Sequence, residues 1–515
     1  MSPPPRTDVL ICGAGPTGLV LALSLARAGV RIRVVDAAER AGTTSRALVV
    51  HARTLEFYRQ MGFAELFIQE GLPFAAVNLW VRGRQVAHVE LRDLGKGLSR
   101  FPHMLVVPQD VHEQFLIDQL GRAEVQVERR TELVGFVQSP DRVQARLRRP
   151  DGSEETCEAA WLAGCDGARS ATRQILGGEF GGSTYWHIFF VADVDATGPV
   201  MNGQLHVALD ESDLLGVFPL RGGRTGRLIG TVRLRDGQDH HGLTWDHVSK
   251  GILQELSIQV ERVNWFSTYQ VHHRVADRFR QGRVFLLGDA AHIHSPVGGQ
   301  GMNTGIGDAV NLAWKLADVI RQRASEALLD TYEPERIAFA KRLVGTTDRI
   351  FVLATSPGRL ARFIRTRIVP LVLPVLVRFR RLRRLMFRTV SQINIHYRAS
   401  RLSEGSAGAV QGGDRLPWVE LQGGAVEDNH ALFDDWQWQV HVYGEAPHAL
   451  VEECRTLRLA LHVVAWSPAM HVAGLTRNAC YLIRPDAYVA LASQAPRPGA
   501  LTDYMERLGA LAART

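Results

Sequence analysis

Three short stretches of this chain hold residue types that could do chemistry together. The first is Gly13-Ala-Gly15-Pro16-Thr17-Gly18, with Asp36 eighteen residues after its last glycine. The second is Asp166-Gly167, closely followed by Arg169, Ser170 and Arg173. The third is Gly288-Asp289-Ala-Ala-His292, continuing through Pro296, glycines 298, 299 and 301, and Met302-Asn303. None contains the further ligands a metal site needs. They pair backbone N–H groups in glycine-rich turns with single carboxylates that accept from hydroxyls. Backbone donors at a helix start favour an anion. The ligand this implies carries phosphate, a polyol chain and a ring that becomes anionic.

Each stretch needs a strand before it and a helix start after it. Thr7–Cys12 reads as a buried strand, Leu19–Ala28 as a helix ended by Gly29, and Val30–Val35 as a second strand ending at Asp36. This is a βαβ unit with a dinucleotide fingerprint. Gly13 allows the tight turn, Gly15 the approach of phosphate and Gly18 close helix packing, with Asp36 placed for ribose hydroxyls. By itself the fingerprint does not separate NAD from FAD. Ala160–Cys165 and Val284–Leu287 read as further buried strands, and Met302–Ile320 as a long helix.

The third stretch resembles the flavin-proximal motif of single-component FAD-dependent aromatic hydroxylases, and Asp166-Gly167 resembles their second motif. The resemblance implies that Asp289 binds the ribitol hydroxyls. Pro296 and the loop through Gly299 and Gly301 would line the isoalloxazine, and the helix start at Met302-Asn303 would face its pyrimidine edge. It also implies that Arg46 lies near the flavin, that Gln109 contacts FAD, and that Asp166 reaches FAD and the approach of the nicotinamide. The implied enzyme binds FAD and takes NADPH or NADH as a transient co-substrate, since the chain holds no second G-x-G-x-x-G. Its reduced flavin reacts with O₂ to a C4a-hydroperoxide that hydroxylates a phenolic or polyketide-like aromatic. Baeyer–Villiger oxygen insertion, or reduction without oxygen insertion, would use the same motifs. The family has no universal protein acid or base, so no catalytic side chain is named.

The implied fold is α/β. A Rossmann-like FAD-binding domain spans 1–182 and 276–403, an antiparallel substrate sheet is inserted at 183–275, and a thioredoxin-like domain without Cys-x-x-Cys fills 404–515. The sheet would roof a cavity over the flavin, with Trp186, Phe190, His206, Phe218 and Trp265 as candidate walls. Alternation places neighbours on opposite faces without saying which face is the pocket. The C-terminal domain is expected to pack on the body or build a homodimer interface.

The 515 residues carry a net charge of +7. Residues 349–403 hold thirteen arginines and no acid, and subtracting those charges leaves the rest at −6. One basic segment is weak grounds for a nucleic-acid partner, and none is expected. Ile368–Val377 is apolar, interrupted by Pro370 and Pro374 and bracketed by arginines between 359 and 388. It reads either as a helical connector or as a membrane-surface helix, with the connector preferred. Five scattered cysteines and an N-terminus without an apolar run lead us to expect reduced thiols in a cytoplasmic protein.

Overall fold

The computed structural model describes the chain except residues 1–5, 43–46, 75, 91–93, 210–213, 222, 224, 233–242, 296, 356–357, 377, 422–425, 434–435 and 510–515. Arg46 and Pro296 therefore lie outside the described residues, as does the side chain of Trp186.

Arg6–Cys12 is the central strand of a largely parallel sheet. Glu154–Gly164 and then Val284–Leu286 flank it on one side, Ile32–Asp36 and then Val127–Arg129 on the other. Strands covered on both faces read as continuous apolar runs, as these do. Their register brings the three stretches together. Cys12 pairs with Gly164, and Gly164 with Leu286. Gly13, Asp166 and Gly288 thus leave neighbouring strands at the same carboxyl edge, where open α/β sheets bind ligands. Helices Pro16–Arg27 and Gln300–Ile320 pack against each other.

The second sheet is built on two 18-residue strands, Phe180–Thr197 and Gln259–Ala276. Thr225–Val232, Leu214–Pro219 and Leu205–Leu209 extend it antiparallel. It then recruits Ala76–Val81 and Arg84–Glu90, far from the 183–275 insert, with Leu205–Leu209 pairing parallel to Ala76–Val81. At its other edge His292–Ile293 joins it, so the loop after Gly288 is tied to this sheet.

The C-terminal region runs Gln439–Tyr443, helix His448–Leu457, Ala460–Val464, helix Pro468–Ala473, Cys480–Ile483, Val489–Ser493 and helix Ala500–Arg507. The first two strands are parallel, and the third and fourth follow antiparallel on the other side. This is the thioredoxin topology, with Cys454 and Cys480 buried and free.

That domain is held to the body by buried charge. Arg415 donates to both oxygens of Glu56 (2.5 and 2.8 Å), and Arg53 links Glu56 to the carbonyl of Asp486. Arg484 donates to both oxygens of Glu335 (2.8 and 3.1 Å) and to Asp486. Between the two major parts runs the arginine-rich segment, whose helices include Arg359–Phe363, Val369–Leu376 and Arg380–Val390.

Candidate functional site

The three glycines of the first stretch differ in what surrounds them. Gly13 has φ +105°, and a Cβ there would collide with the carbonyl of Cys165. A Cβ on Gly18 would collide with the carbonyl of Gly13. Gly15 has ordinary extended geometry (φ −78°, ψ 179°), and a Cβ there would meet no atom within 4 Å. No protein atom crowds position 15, so its backbone stands open to a ligand. Gly15 precedes a helix with Pro16 in its first turn and no side-chain cap, so the first amides face the same open space. Thr17 has a packing role: it wedges between Gly288 and Gly305, where a Cβ on Gly288 would come within 2.6 Å of its hydroxyl. The first and third stretches are interlocked there.

Asp36 accepts from the amides of Ala14 (2.6 Å) and Ala38 (2.7 Å), so it shapes the glycine-rich loop that follows the first strand. Asp166 accepts from the hydroxyl of Ser170 (2.5 Å) and from the amide and hydroxyl of Thr172 (2.8 and 2.9 Å). Its carboxylate thus organises the start of helix Ala171–Leu176, and Gly167 beside it faces open space. Arg173 bridges the second and third stretches, donating to the carbonyls of Ala168 and Ala290 (2.7 Å each).

Asp289 is exposed between buried Gly288 and Ala290. Behind it Asp308, fully buried, accepts from the Gly288 amide (3.0 Å), His292 Nε2 (2.6 Å) and Arg336 Nε (2.5 Å). Burial would raise the Asp308 pKa, but Arg336 and His292 outweigh it and hold the carboxyl below its ordinary range. Gly298 and Gly299 take left-handed φ of +76° and +63°, turning the chain into helix Gln300–Ile320 with no side-chain cap. Gly301 and Met302 lie in its first turn, whose amides have no intrahelical acceptor.

The Asn303 side chain is committed within the protein. Its Oδ1 accepts from the His51 amide (2.9 Å) and the Thr54 hydroxyl (2.8 Å), and its Nδ2 donates to the carbonyls of Val49 and Gly299. The side chain is buried and saturated, and the Asn303 N–H closes the first helical turn on the Gly299 carbonyl, so the open donors of this helix start are the amides of Gly301 and Met302. His51 also binds the Gly298 carbonyl (2.9 Å), and burial lowers its pKa to about 4. Gln109 accepts from the Ala47 amide and donates to Glu113, which accepts from Gly42, so this pair ties Gly42 and Ala47 to helix Gln109–Arg122. His51, Thr54, Glu113 and Arg336 are structural partners that no local motif marks.

The sheet's two faces sort the candidate wall residues. Phe190 is buried in the outer core, stacked on Phe266 and edge-on to Trp245. His206, on that same face opposite Val217, is buried between Trp80 Nε1 (3.0 Å) and Asn202 Oδ1 (2.9 Å). Both are corrected to packing residues, because strand parity turns them away from the body. Phe218 is opposite Arg227, and Trp265 and Arg227 are both opposite Asp193, so these four share the other face. Phe218 packs toward the core of the body and lines a cavity of about 410 Å³ with Leu72, Met201, Pro219 and Leu220. Arg227 and Asp193 form a bidentate pair (2.6 and 2.7 Å) with the guanidinium 5.7 Å from the Trp265 ring. Sequence reading missed this ion pair, since the partners are 34 residues apart.

The open backbone at Gly15, the exposed Asp289 and the uncapped helix start fit a flavin dinucleotide. So do His294 Nε2 and Ser295 Oγ, which are buried without a hydrogen-bond partner among the described residues. Residues 6–347 match the family described as FAD binding domain. The chain belongs to that family. It is an FAD-dependent monooxygenase of the aromatic hydroxylase group, using NAD(P)H and O₂. It is 33% identical to the 6-methylpretetramide 4-monooxygenase of Streptomyces rimosus, over 98% of this chain and 94% of that one. It is 31% identical to a flavin-dependent monooxygenase of Mycobacteroides abscessus, over 97% and 99%. Among solved structures, the OxyS anhydrotetracycline hydroxylase of Streptomyces rimosus shares 27% identity with a TM-score of 0.77, covering 98% and 99%. These matches run over nearly the whole length of both chains.

Proposed function

We propose that this monooxygenase hydroxylates a polycyclic, polyketide-like aromatic held between the body and the inner face of the second sheet. The observation that carries this reading is the cavity of about 410 Å³ between Leu72 of the body and Phe218 of the roof. Its size falls in the range of ~300–1,000 Å³ of small-molecule sites, and its lining is largely apolar. Similarity to enzymes named for 6-methylpretetramide and anhydrotetracycline supports the same substrate class. Hydroxylation is preferred over Baeyer–Villiger insertion on those names.

In this reading the amides of Gly15, Thr17 and Gly18 hold the pyrophosphate, Asp36 the ribose and Asp289 the ribitol. The amides of Gly301 and Met302, at the helix start that Gly299 and Asn303 shape, would stabilise negative charge on the flavin ring through donors that need no reorganisation. Gln109 and Asp166 complete the cradle by fixing the loops around it, with Arg46 and Pro296 assigned by resemblance. Bound FAD supplies the oxygenating chemistry; the chain binds, orients and excludes water. The enzyme works in the cytoplasm, where NAD(P)H is at hand.

The test is NAD(P)H oxidation and O₂ uptake by the yellow protein across simple phenols and polycyclic aromatics. Consumption stimulated by a polycycle, with a hydroxylated product one oxygen heavier, is expected; a ring-expanded lactone, or turnover without oxygen incorporation, would overturn the reading. Phe218→Ala should change kcat/KM among polycycles. Phe190→Ala should lower stability by about 3–5 kcal/mol while leaving substrate preference alone.

A further inference from the structure

The arginine-rich segment presents an unpartnered apolar stripe. Ile368, Leu371, Val372, Val375 and Leu376 recur at helical spacing on or beside helix Val369–Leu376, and Phe379 follows at the next turn. All six are exposed, Leu371 at 72%, Val375 at 50% and Phe379 at 61%. The same helix contacts the strand Arg84–Glu90 of the roof, so its exposed side faces away from the body. Apolar surfaces of this length are seldom left open to water without a partner.

Charge identifies the partner. Exposed Arg359 and Arg367 precede the stripe, and exposed Arg378, Arg380 and Arg381 follow it. A second copy meeting this face about a twofold axis would set arginine against arginine. The arginines bracket the stripe and do not interleave with it, and Ile368–Val377 holds no charge. An acidic protein would want cations across the contact. A bilayer surface wants them at the ends, where long side chains reach headgroups while aliphatics enter the acyl boundary. No described helix is long and apolar enough to cross a membrane.

We infer that this face docks the enzyme in the plane of an anionic lipid surface, through the stripe and its flanking arginines. The inference goes beyond the oxygenation reading and does not depend on it.

The test is flotation of the FAD-loaded full-length protein with vesicles of phosphatidylcholine alone or containing 30% phosphatidylglycerol. Binding to the anionic vesicles and not to the neutral ones is expected. Arg380→Gln with Arg381→Gln should weaken it by about fivefold per arginine removed. Leu371→Asp with Val375→Asp should abolish it while the flavin spectrum stays unchanged, since both side chains are exposed. Three results would overturn the inference: no binding to either vesicle, including a chain that pairs through this face instead; equal binding to both; or binding indifferent to the aspartates, which would be adsorption by charge alone.

Discussion

Two successive residues of one helix, Glu335 and Arg336, serve different parts of the molecule. Arg336 turns to Asp308 and thereby backs the Gly288 turn and His292. Glu335 turns to Lys315 (2.9 Å), Asn311 (2.7 Å) and Arg484, and thereby holds the C-terminal domain. Both networks join the same pair of helices, and both centre on a fully buried carboxylate. They differ in what is stranded when the carboxylate goes. Arg336 cannot shed its proton and pairs with no other carboxylate among the described residues, whereas Arg484 would keep Asp486 and Lys315 can shed its proton: burial, partly offset by Glu335, already brings its pKa down to about 8. The cofactor side therefore rests on the less forgiving cluster.

The largest effect expected is from Asp308→Ala. It leaves a buried guanidinium without its carboxylate and should cost about 3–5 kcal/mol. The Gly288 turn loosens with it, so FAD titration followed by flavin fluorescence should show weaker binding along with the lower denaturation midpoint. Glu335→Ala should cost less, about 2–3 kcal/mol, because neutral Lys315 relieves part of the penalty. Its FAD affinity should stay near that of the parent. Equal loss of FAD in both variants would erase the contrast between the two clusters.

Acid should act on the domain clamp. Burial would raise the Glu56 pKa, but Arg415 and Arg53 outweigh it and bring the carboxyl down to about 2. A depressed carboxylate adds stability that is fully present above the unfolded pKa of 4.5 and is lost as pH falls toward 2. The contribution is on the order of 3 kcal/mol. Urea midpoints between pH 6 and 3 should fall more steeply for the parent than for Glu56→Gln, which starts lower.

The smallest effect on folding and the sharpest on the ligand should come from Gly15→Val. Neither the backbone angles nor any neighbour opposes the side chain. Stability without FAD should change by less than about 0.5 kcal/mol, while FAD affinity falls roughly tenfold or more. Gly13→Ala, which meets the Cys165 carbonyl, should instead lower stability itself. A Gly15 variant that binds FAD normally would remove the phosphate-loop assignment.

What could be read from the chain follows these physical lines. The glycine spacings, the strand-ending aspartates and the long helix after Gly301 were legible, because each is a local requirement of backbone geometry. Continuous apolar runs also located the strands found at Arg6–Cys12 and Val284–Leu286. Three things were decided only in three dimensions. The roof sheet took in Ala76–Val81 and Arg84–Glu90 through a parallel pairing across more than a hundred residues. Strand parity gave Phe218 and Trp265 to the inner face and Phe190 and His206 to the outer, because a period of two fixes opposition and leaves the side open. Asn303 was spent on Val49, His51, Thr54 and Gly299, because a buried amide must satisfy every donor and acceptor wherever its partners lie in sequence. By itself the sequence determined which backbone turns could cradle a dinucleotide. The tertiary structure decided which side chains were left over to meet what binds there.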